Sequence, residues 1–71
     1  MITFKITTEY IELFKLLKAT SLCETGGQAK HVISEGFVKV DGTKETRKAC
    51  KIRIGQMVEY NDQEILVEQS S

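Results

Sequence analysis

The chain has little of the chemistry that an enzyme needs. Its 71 residues include one histidine and two cysteines, and proline and tryptophan are absent. No Gly-x-Ser-x-Gly motif, phosphate-binding loop or metal-spaced cluster occurs. Gly26-Gly27 ahead of a helix could hold an anion, but a phosphate loop needs more glycines and a Lys-Ser or Lys-Thr pair. The sequence therefore predicts a protein without enzymatic activity, cofactor or small-molecule substrate.

The two cysteines, Cys23 and Cys50, lack the C-x-x-C spacing of a redox or zinc motif, and a cytosolic protein would keep them reduced. We expect both to be small, partly buried apolar side chains. A zinc site that adds His31 would lack a fourth ligand and a finger spacing. Oxidation-sensitive regulation is the remaining alternative. No metal is expected.

Long hydrophobic runs are also missing. The start, Met-Ile-Thr-Phe-Lys, lacks the apolar segment of a secretory signal, and no stretch approaches the length that spans a membrane. We therefore expect a cytoplasmic location and no membrane partner. A chain of 71 residues is expected to form one domain over 1–71 that buries about 60% of its unfolded surface around one small core.

The charges are balanced in number but not in position. Residues 28–53 carry seven Lys or Arg residues and three acids, a net charge of +4. The remainder carries three Lys residues and seven acids, a net charge of −4. A basic half of this kind is the electrostatic pattern that a nucleic-acid partner requires.

The stretch from Thr25 to Gly42 predicts a helix, a stop, a strand and a turn without intervening loops. Thr25 is expected to cap the helix, with Gln28 reaching back to complete a capping box. Gly36 is expected to end the helix in the left-handed conformation that glycine adopts cheaply, and Asp41-Gly42 predicts a tight hairpin turn. The predicted core positions are Ala29, Val32, Ile33, Val38 and Val40, and the predicted exposed helix face contains Gly27, Lys30, His31 and Ser34.

The rest of the chain supplies a second helix and further strands. Alternation over residues 2–6 predicts a half-buried strand, and Thr8 is the expected N-cap of a first helix. The apolar stripe of that helix, expected in the core, is Tyr10, Leu13, Phe14 and Leu17. Later strands are predicted over 43–47, 57–60 and 65–67, with turns at Gly55 and Asn61-Asp62. The predicted class is α+β, with two short helices packed on a small, mainly antiparallel, twisted sheet.

The order of residues from Thr25 to Gly42 resembles the S4 (ribosomal protein S-four type) RNA-binding domain. The family pattern has a Ser or Thr cap, a helical Ala, an aliphatic pair, a Gly and then Val-x-Val-Asn-Gly. This chain matches it with Thr25, Ala29, Val32-Ile33, Gly36, Val38, Val40 and Asp41-Gly42. The continuation from Glu45 to Ile52 resembles the small stand-alone YbcJ/YaaA-like branch. The resemblance covers about residues 9–60 and implies the fold known as the αL RNA-binding motif.

The resemblance also implies that the second helix and the turn after it face RNA. The basic residues of that region are Lys30, His31, Lys39, Lys44, Arg47, Lys48, Lys51 and Arg53. The expected partner is structured RNA, with ribosomal RNA as the best-fitting target and ribosomal particles as a further potential partner.

One departure from the family pattern changes this expectation. Many family members carry Arg where this chain has Gly26. The helix is therefore less cationic than usual, and more of the positive charge lies in the loop over 47–53. Phe37 could stack on a base, although a position flanking the core is the favoured expectation. The alternatives to RNA binding are an ordinary solvated charged face, or a protein-interaction or assembly adaptor that keeps the fold with weak or no RNA binding.

Overall fold

The computed structural model describes residues 1–70 and confirms the predicted α+β class. Two helices and seven strands follow one another along the chain. Their bounds are β1 Ile2–Ile6, β2 Tyr10–Glu12, α1 Leu13–Ala19, α2 Gly26–Ser34, β3 Val38–Val40, β4 Thr43–Lys44, β5 Lys51–Arg53, β6 Met57–Tyr60 and β7 Gln63–Gln69. Neither of these helices is long and apolar enough to cross a membrane.

The strands form one large sheet and one small ribbon. The large sheet has the order β1-β7-β6-β3-β4, in which only β1 and β7 run parallel. The ribbon is the antiparallel pair β2–β5. The sheet is therefore mainly antiparallel, as predicted.

A single hydrophobic cluster joins the helices to one face of the large sheet. Strand residues alternate between this face and solvent because successive side chains of a strand point to opposite sides. The helices contribute Leu13, Leu16, Leu17, Ala29, Val32 and Ile33, and the large sheet contributes Ile6, Val38, Val58, Ile65 and Val67. The predicted core positions of α2 and β3 are thus confirmed, except that Val40 is only partly buried.

The local signals around α2 are confirmed with one correction. The Thr25 hydroxyl accepts a hydrogen bond from the backbone N–H of Gln28 at 3.0 Å, and Gly36 has φ = +83° after the helix ends. The capping box does not close, however. The Gln28 side chain accepts from the backbone N–H of Glu24 at 2.9 Å instead of from that of Thr25. It therefore stabilises the connection ahead of the cap rather than the cap itself.

The predicted start of the first helix is wrong. Thr8 is not an N-cap; its hydroxyl donates to the Tyr10 carbonyl, and residues 10–12 form strand β2. Helix α1 begins at Leu13, because backbone N–H groups of its first turn donate to carbonyls of a loop that is distant in the sequence. Leu13 N–H donates to the Cys50 carbonyl at 2.9 Å, and Phe14 N–H donates to the Lys48 carbonyl at 3.1 Å.

Two strand predictions also need correction. The strand predicted over 43–47 ends at Lys44, and Lys51–Arg53 forms strand β5 at the end of the loop expected over 47–53. The ribbon tolerates these charges because only Ile52 faces the core and its neighbours face solvent. The turns at Asp41-Gly42, Gly55 and Asn61-Asp62 are confirmed by positive φ angles.

The Asp41 side chain links the first of these turns to strand β6. Its carboxylate accepts from the backbone N–H of Met57 at 2.9 Å and from the Gln56 amide at 3.0 Å. These hydrogen bonds favour the charged form and lower the pKa of Asp41. The hairpin that follows the helix stop is therefore held to the rest of the sheet at its tip.

The left-handed stop at Gly36 gives a stability prediction. Gly36→Val would force a β-branched side chain into positive φ and bring its Cβ to 3.1 Å from the Lys44 side chain. We expect a loss of about 1–3 kcal/mol in the free energy of unfolding, measured by urea denaturation with circular dichroism.

Gly27→Ala is the matched control, because Gly27 lies within α2 and an added Cβ there meets its nearest atom only at 3.9 Å. Alanine is the better helix former, so this variant should be as stable as the parent or more stable. Equal stability of the Gly36→Val variant and the parent would contradict the assignment of Gly36 as the strained stop.

Candidate nucleic-acid interface

An exposed tyrosine on the small ribbon is covered by two cations. Tyr10 of β2 pairs in register with Arg53 of β5, so both side chains project from the same face of the ribbon. The Lys51 ammonium lies 5.0 Å from the centre of the Tyr10 ring, and the Arg53 guanidinium carbon lies 5.9 Å from it. These distances are within the range of cation–π attraction. Tyr10 is 37% exposed and does not belong to the core stripe that its spacing predicted.

The ring of Phe14, at the start of α1, also lies close to cations. The Lys30 ammonium, from α2, lies 4.7 Å from the centre of the half-buried Phe14 ring. The backbone N–H of Phe14 binds the Lys48 carbonyl, which fixes the basic loop beside the same ring. Lys15 lies 5.9 Å from the ring but also forms an ion pair with Glu12 at 3.0 Å, which compensates its charge.

The two groups are parts of one surface because segments 10–14 and 48–53 run side by side. The β2–β5 pairing and the Leu13–Cys50 and Phe14–Lys48 hydrogen bonds tie these segments together. All of the uncompensated cations on it are exposed. We name this set the Tyr10–Phe14 surface, and it consists of Tyr10, Phe14, Lys30, Lys48, Lys51 and Arg53.

Arg47 belongs to the same loop, but its charge is engaged within the chain. Its guanidinium donates to the Glu45 carboxylate from two nitrogens, from Nη2 to Oε1 at 2.9 Å and from Nε to Oε2 at 3.1 Å and Oε1 at 3.2 Å. The Glu45 side chain is only 15% exposed, whereas that of Arg47 is 79% exposed. Hydrogen bonding from Arg47 lowers the pKa of Glu45 below its ordinary value of 4.5, so the carboxylate stays charged at neutral pH. Arg47 thus lies in an ion pair at the edge of the Tyr10–Phe14 surface.

The remaining predicted residues lie elsewhere. Lys39 projects from the face of the large sheet opposite the core, where its register partners are Glu59 on β6 and Lys44 on β4. The Lys44 side chain extends over Gly36. His31 is exposed on α2. All eight predicted basic residues are therefore exposed, but only Lys30, Lys51 and Arg53 among them lie over aromatic rings, and Lys48 joins them through its backbone contact with Phe14.

The sequence interpretation missed Tyr10 and Phe14 as site residues. Their helical spacing with Leu13 and Leu17 favoured a core stripe. A different signal was present: Tyr10-Ile11-Glu12 and Lys51-Ile52-Arg53 each place one aliphatic residue between outward-facing side chains. That shared period of two is typical of a pair of strands with one buried face.

Phe37 is also placed differently from expectation. Its side chain is 63% exposed, so the expectation that it flanks the core is wrong. The neighbouring Val38 takes the inward position on β3, which turns Phe37 toward the outer face of the sheet.

The cysteines are placed as expected. Cys23 is buried, Cys50 is half-buried, and both thiols are free. Burial raises the pKa of each thiol, and the nearby Glu45 carboxylate adds to the effect at Cys50. Within residues 1–70 no three His, Cys, Asp or Glu side chains are grouped to hold a metal ion. That the protein binds no metal ion remains a prediction.

Comparison with known proteins identifies the family to which the chain belongs. A family model for the S4 domain matches residues 4–68. The chain belongs to the S4 domain family, which is an RNA-binding domain and not an enzyme family. This confirms the resemblance that the residues from Thr25 to Gly42 predicted.

Individual relatives agree with this placement. The chain is 51% identical over 61 residues to the "Putative RNA-binding protein YbcJ" of Escherichia coli, covering 84% of this chain and 87% of that protein. It is 37% identical over 54 residues to the "Probable ribosome maturation protein RlbA" of Bacillus subtilis, covering 76% of each. The solution structure of Escherichia coli YbcJ, described as revealing an αL motif involved in RNA binding, superposes with a TM-score of 0.74 at 46% identity. That superposition covers 96% of this chain and 87% of YbcJ.

Proposed function

We propose that this protein binds structured RNA, with ribosomal RNA as its target, and acts in the cytoplasm in ribosome assembly or translation without catalysing a reaction. The observation that carries the proposal is the Tyr10–Phe14 surface. Three exposed cations lie over two aromatic rings there, and a backbone hydrogen bond holds the segment of the exposed Lys48 beside Phe14. Cations position the phosphate backbone, and exposed rings can stack on unpaired bases.

The geometry of the surface assigns different RNA contacts to its residues. Lys30, Lys48, Lys51 and Arg53 would meet phosphates, because their charged ends are exposed and not held in ion pairs. Tyr10 offers a ring to an unpaired base, since it is the more exposed of the two aromatic residues. His31, Lys44 and Arg47 would extend the contact at its edges. Lys39 would take part least, because Glu59 lies beside it.

The relatives support the choice of target. One is named as an RNA-binding protein and another as a ribosome maturation protein, and both match most of the chain. An adaptor without RNA affinity would require no grouping of cations. The grouping around Tyr10 and Phe14 therefore favours RNA binding over that alternative.

Removal of two central cations should weaken binding through phosphate contacts. The variant Lys30→Ala with Lys48→Ala should bind a labelled stem-loop RNA several-fold more weakly. The slope of log affinity against log salt should fall by about one unit for each lost contact. Fluorescence anisotropy over a salt series measures both quantities. The melting temperature should change little, because both side chains are exposed.

The matched control is Lys5→Ala with Lys39→Ala, which removes the same charge from the outer face of the sheet. It should leave the affinity and the salt slope close to those of the parent. Equal losses in the two double variants would contradict the proposed surface, as would a flat salt response of the parent.

Restoring the missing family arginine should strengthen binding. A Cβ at position 26 would lie 3.9 Å from the Phe14 ring, which is ordinary van der Waals contact, so Gly26→Arg fits without a clash. We expect several-fold tighter RNA binding and a salt slope steeper by about one unit. Gly26→Gln adds a side chain without charge and should have no such effect. An unchanged affinity of Gly26→Arg would show that phosphates do not approach this end of α2.

Releasing Arg47 from Glu45 should also strengthen binding. Glu45→Gln removes the carboxylate to which the guanidinium donates from two nitrogens and leaves Arg47 free to reach a phosphate. RNA affinity should rise severalfold. Glu68→Gln makes the same change in net charge on β7 and serves as the control. If RNA affinity rises equally in both variants, only net charge matters and Arg47 makes no specific contact.

A further inference from the structure

The face of the large sheet opposite the core is uncovered and carries its own charge pattern. Helices α1 and α2 pack on the inner face only. On the outer face, one row runs across four strands in register, and its members are Glu64, Glu59, Lys39 and Lys44. A neighbouring row pairs Met57 with Leu66, which adds partly exposed apolar area. We name this the outer sheet face.

The β6–β7 part of the outer sheet face is acidic, unlike the Tyr10–Phe14 surface. Residues 54–71, which include β6 and β7, carry four acids and no Lys or Arg. Within residues 1–70, the carboxylates of Glu59, Asp62 and Glu64 form no ion pair and no side-chain hydrogen bond. These carboxylates therefore remain available to a partner.

An open cavity of about 370 Å³ lies at the end of this face, beside the β6–β7 turn. Phe37 forms one wall and is 63% exposed, the most exposed aromatic side chain of the described chain. Three carboxylates and one ammonium, that of Lys39, line the cavity. An exposed ring next to unpaired carboxylates matches a cationic side chain, because the ring face attracts the charge and the carboxylates pair with it.

We propose that the outer sheet face binds an extended, Lys- or Arg-rich segment of a protein partner. One cationic side chain of that segment lies on the Phe37 ring, and others pair with Glu59 and Glu64. The apolar row of Met57 and Leu66 packs against the stems of the same long side chains. The charge of the cavity selects this partner, since its three carboxylates outnumber its one ammonium and repel the phosphates of a nucleic acid.

The two surfaces lie on different sides of the molecule, and the proposed protein site does not depend on the proposed RNA function. The Tyr10–Phe14 surface is built from the ribbon and the helices, which are separated from the outer sheet face by the core. Both partners can therefore be held at once. The protein then links a basic protein segment to RNA.

A synthetic peptide tests the proposal on the intact chain. The probe is a labelled peptide of about twelve alternating arginine and threonine residues, because an extended strand presents alternate side chains to one face. In an NMR titration, the largest amide shifts should fall on Phe37, Glu59 and residues 61–64. Largest shifts in segments 10–14 or 48–53 would overturn the proposal.

Matched variants separate a specific site from net charge. Glu59→Gln with Glu64→Gln should weaken peptide binding about threefold to tenfold. Glu24→Gln with Glu35→Gln makes the same charge change at exposed positions flanking α2 and should have less than about half that effect. Phe37→Ala should also weaken binding while leaving the melting temperature unchanged, since the ring is exposed. Equal losses in the two charge variants, or no loss in Phe37→Ala, would overturn the proposal.

A competition experiment distinguishes this inference from the RNA proposal. Stem-loop RNA should not displace the peptide, and its own affinity should be the same for the parent and the Glu59→Gln, Glu64→Gln variant. Displacement of the peptide by RNA would assign the outer sheet face to nucleic acid and overturn the proposal. If RNA fails to bind anywhere while the peptide still binds at Phe37, the RNA function fails and the protein site stands.

Discussion

The candidate RNA surface depends on how the first turn of α1 is satisfied. The first N–H groups of a helix have no partners within the helix, and side chains usually cap them. Here Glu12 precedes the helix without a side-chain cap, and the carbonyls of Cys50 and Lys48 accept from Leu13 and Phe14. Those two hydrogen bonds bring a basic loop from the middle of the chain to the aromatic residues near its start. Together with the β2–β5 pairing, they place the cations and the rings on one surface.

Charge separation explains how a chain with no net charge can offer a basic surface. Four of the ten acids lie in the stretch of β6, its turn and β7, which has no Lys or Arg, while Lys30, Lys48, Lys51 and Arg53 lie on α2, β5 and the loop before β5. The core stands between these two groups, and exposed charges separated by more than the screening length of about 8 Å at physiological salt interact weakly. Local charge rather than the total governs the encounter with a polyanion.

The features that the sequence predicted correctly are those that depend on residues adjacent in the chain. The Thr25 cap, the left-handed Gly36 and the turn at Asp41-Gly42 each depend on two or three adjacent residues, and all three are confirmed. The S4 family was recognised from this same stretch. The start of α1 was missed because its acceptors lie some 35 residues away along the chain, at Lys48 and Cys50.

The candidate site likewise depends on contacts between residues that are distant in the sequence. Eight basic residues were predicted from their position in the sequence, and all are exposed. Which of them gather around Tyr10 and Phe14 depends on the β2–β5 pairing, and which are neutralised depends on contacts such as Arg47 with Glu45. Phe37 was misplaced although the period of two, with Val38 facing the core, already turns it toward the outer face of the sheet.

The most direct test of the account is an NMR titration of the isotopically labelled protein with stem-loop RNA. The account predicts that the largest shifts fall on segments 10–14 and 48–53 and on Lys30, and that the side-chain resonances of Tyr10 and Phe14 move with them. Largest shifts on residues 57–66 of the outer sheet face, or no shifts at low salt, would contradict it.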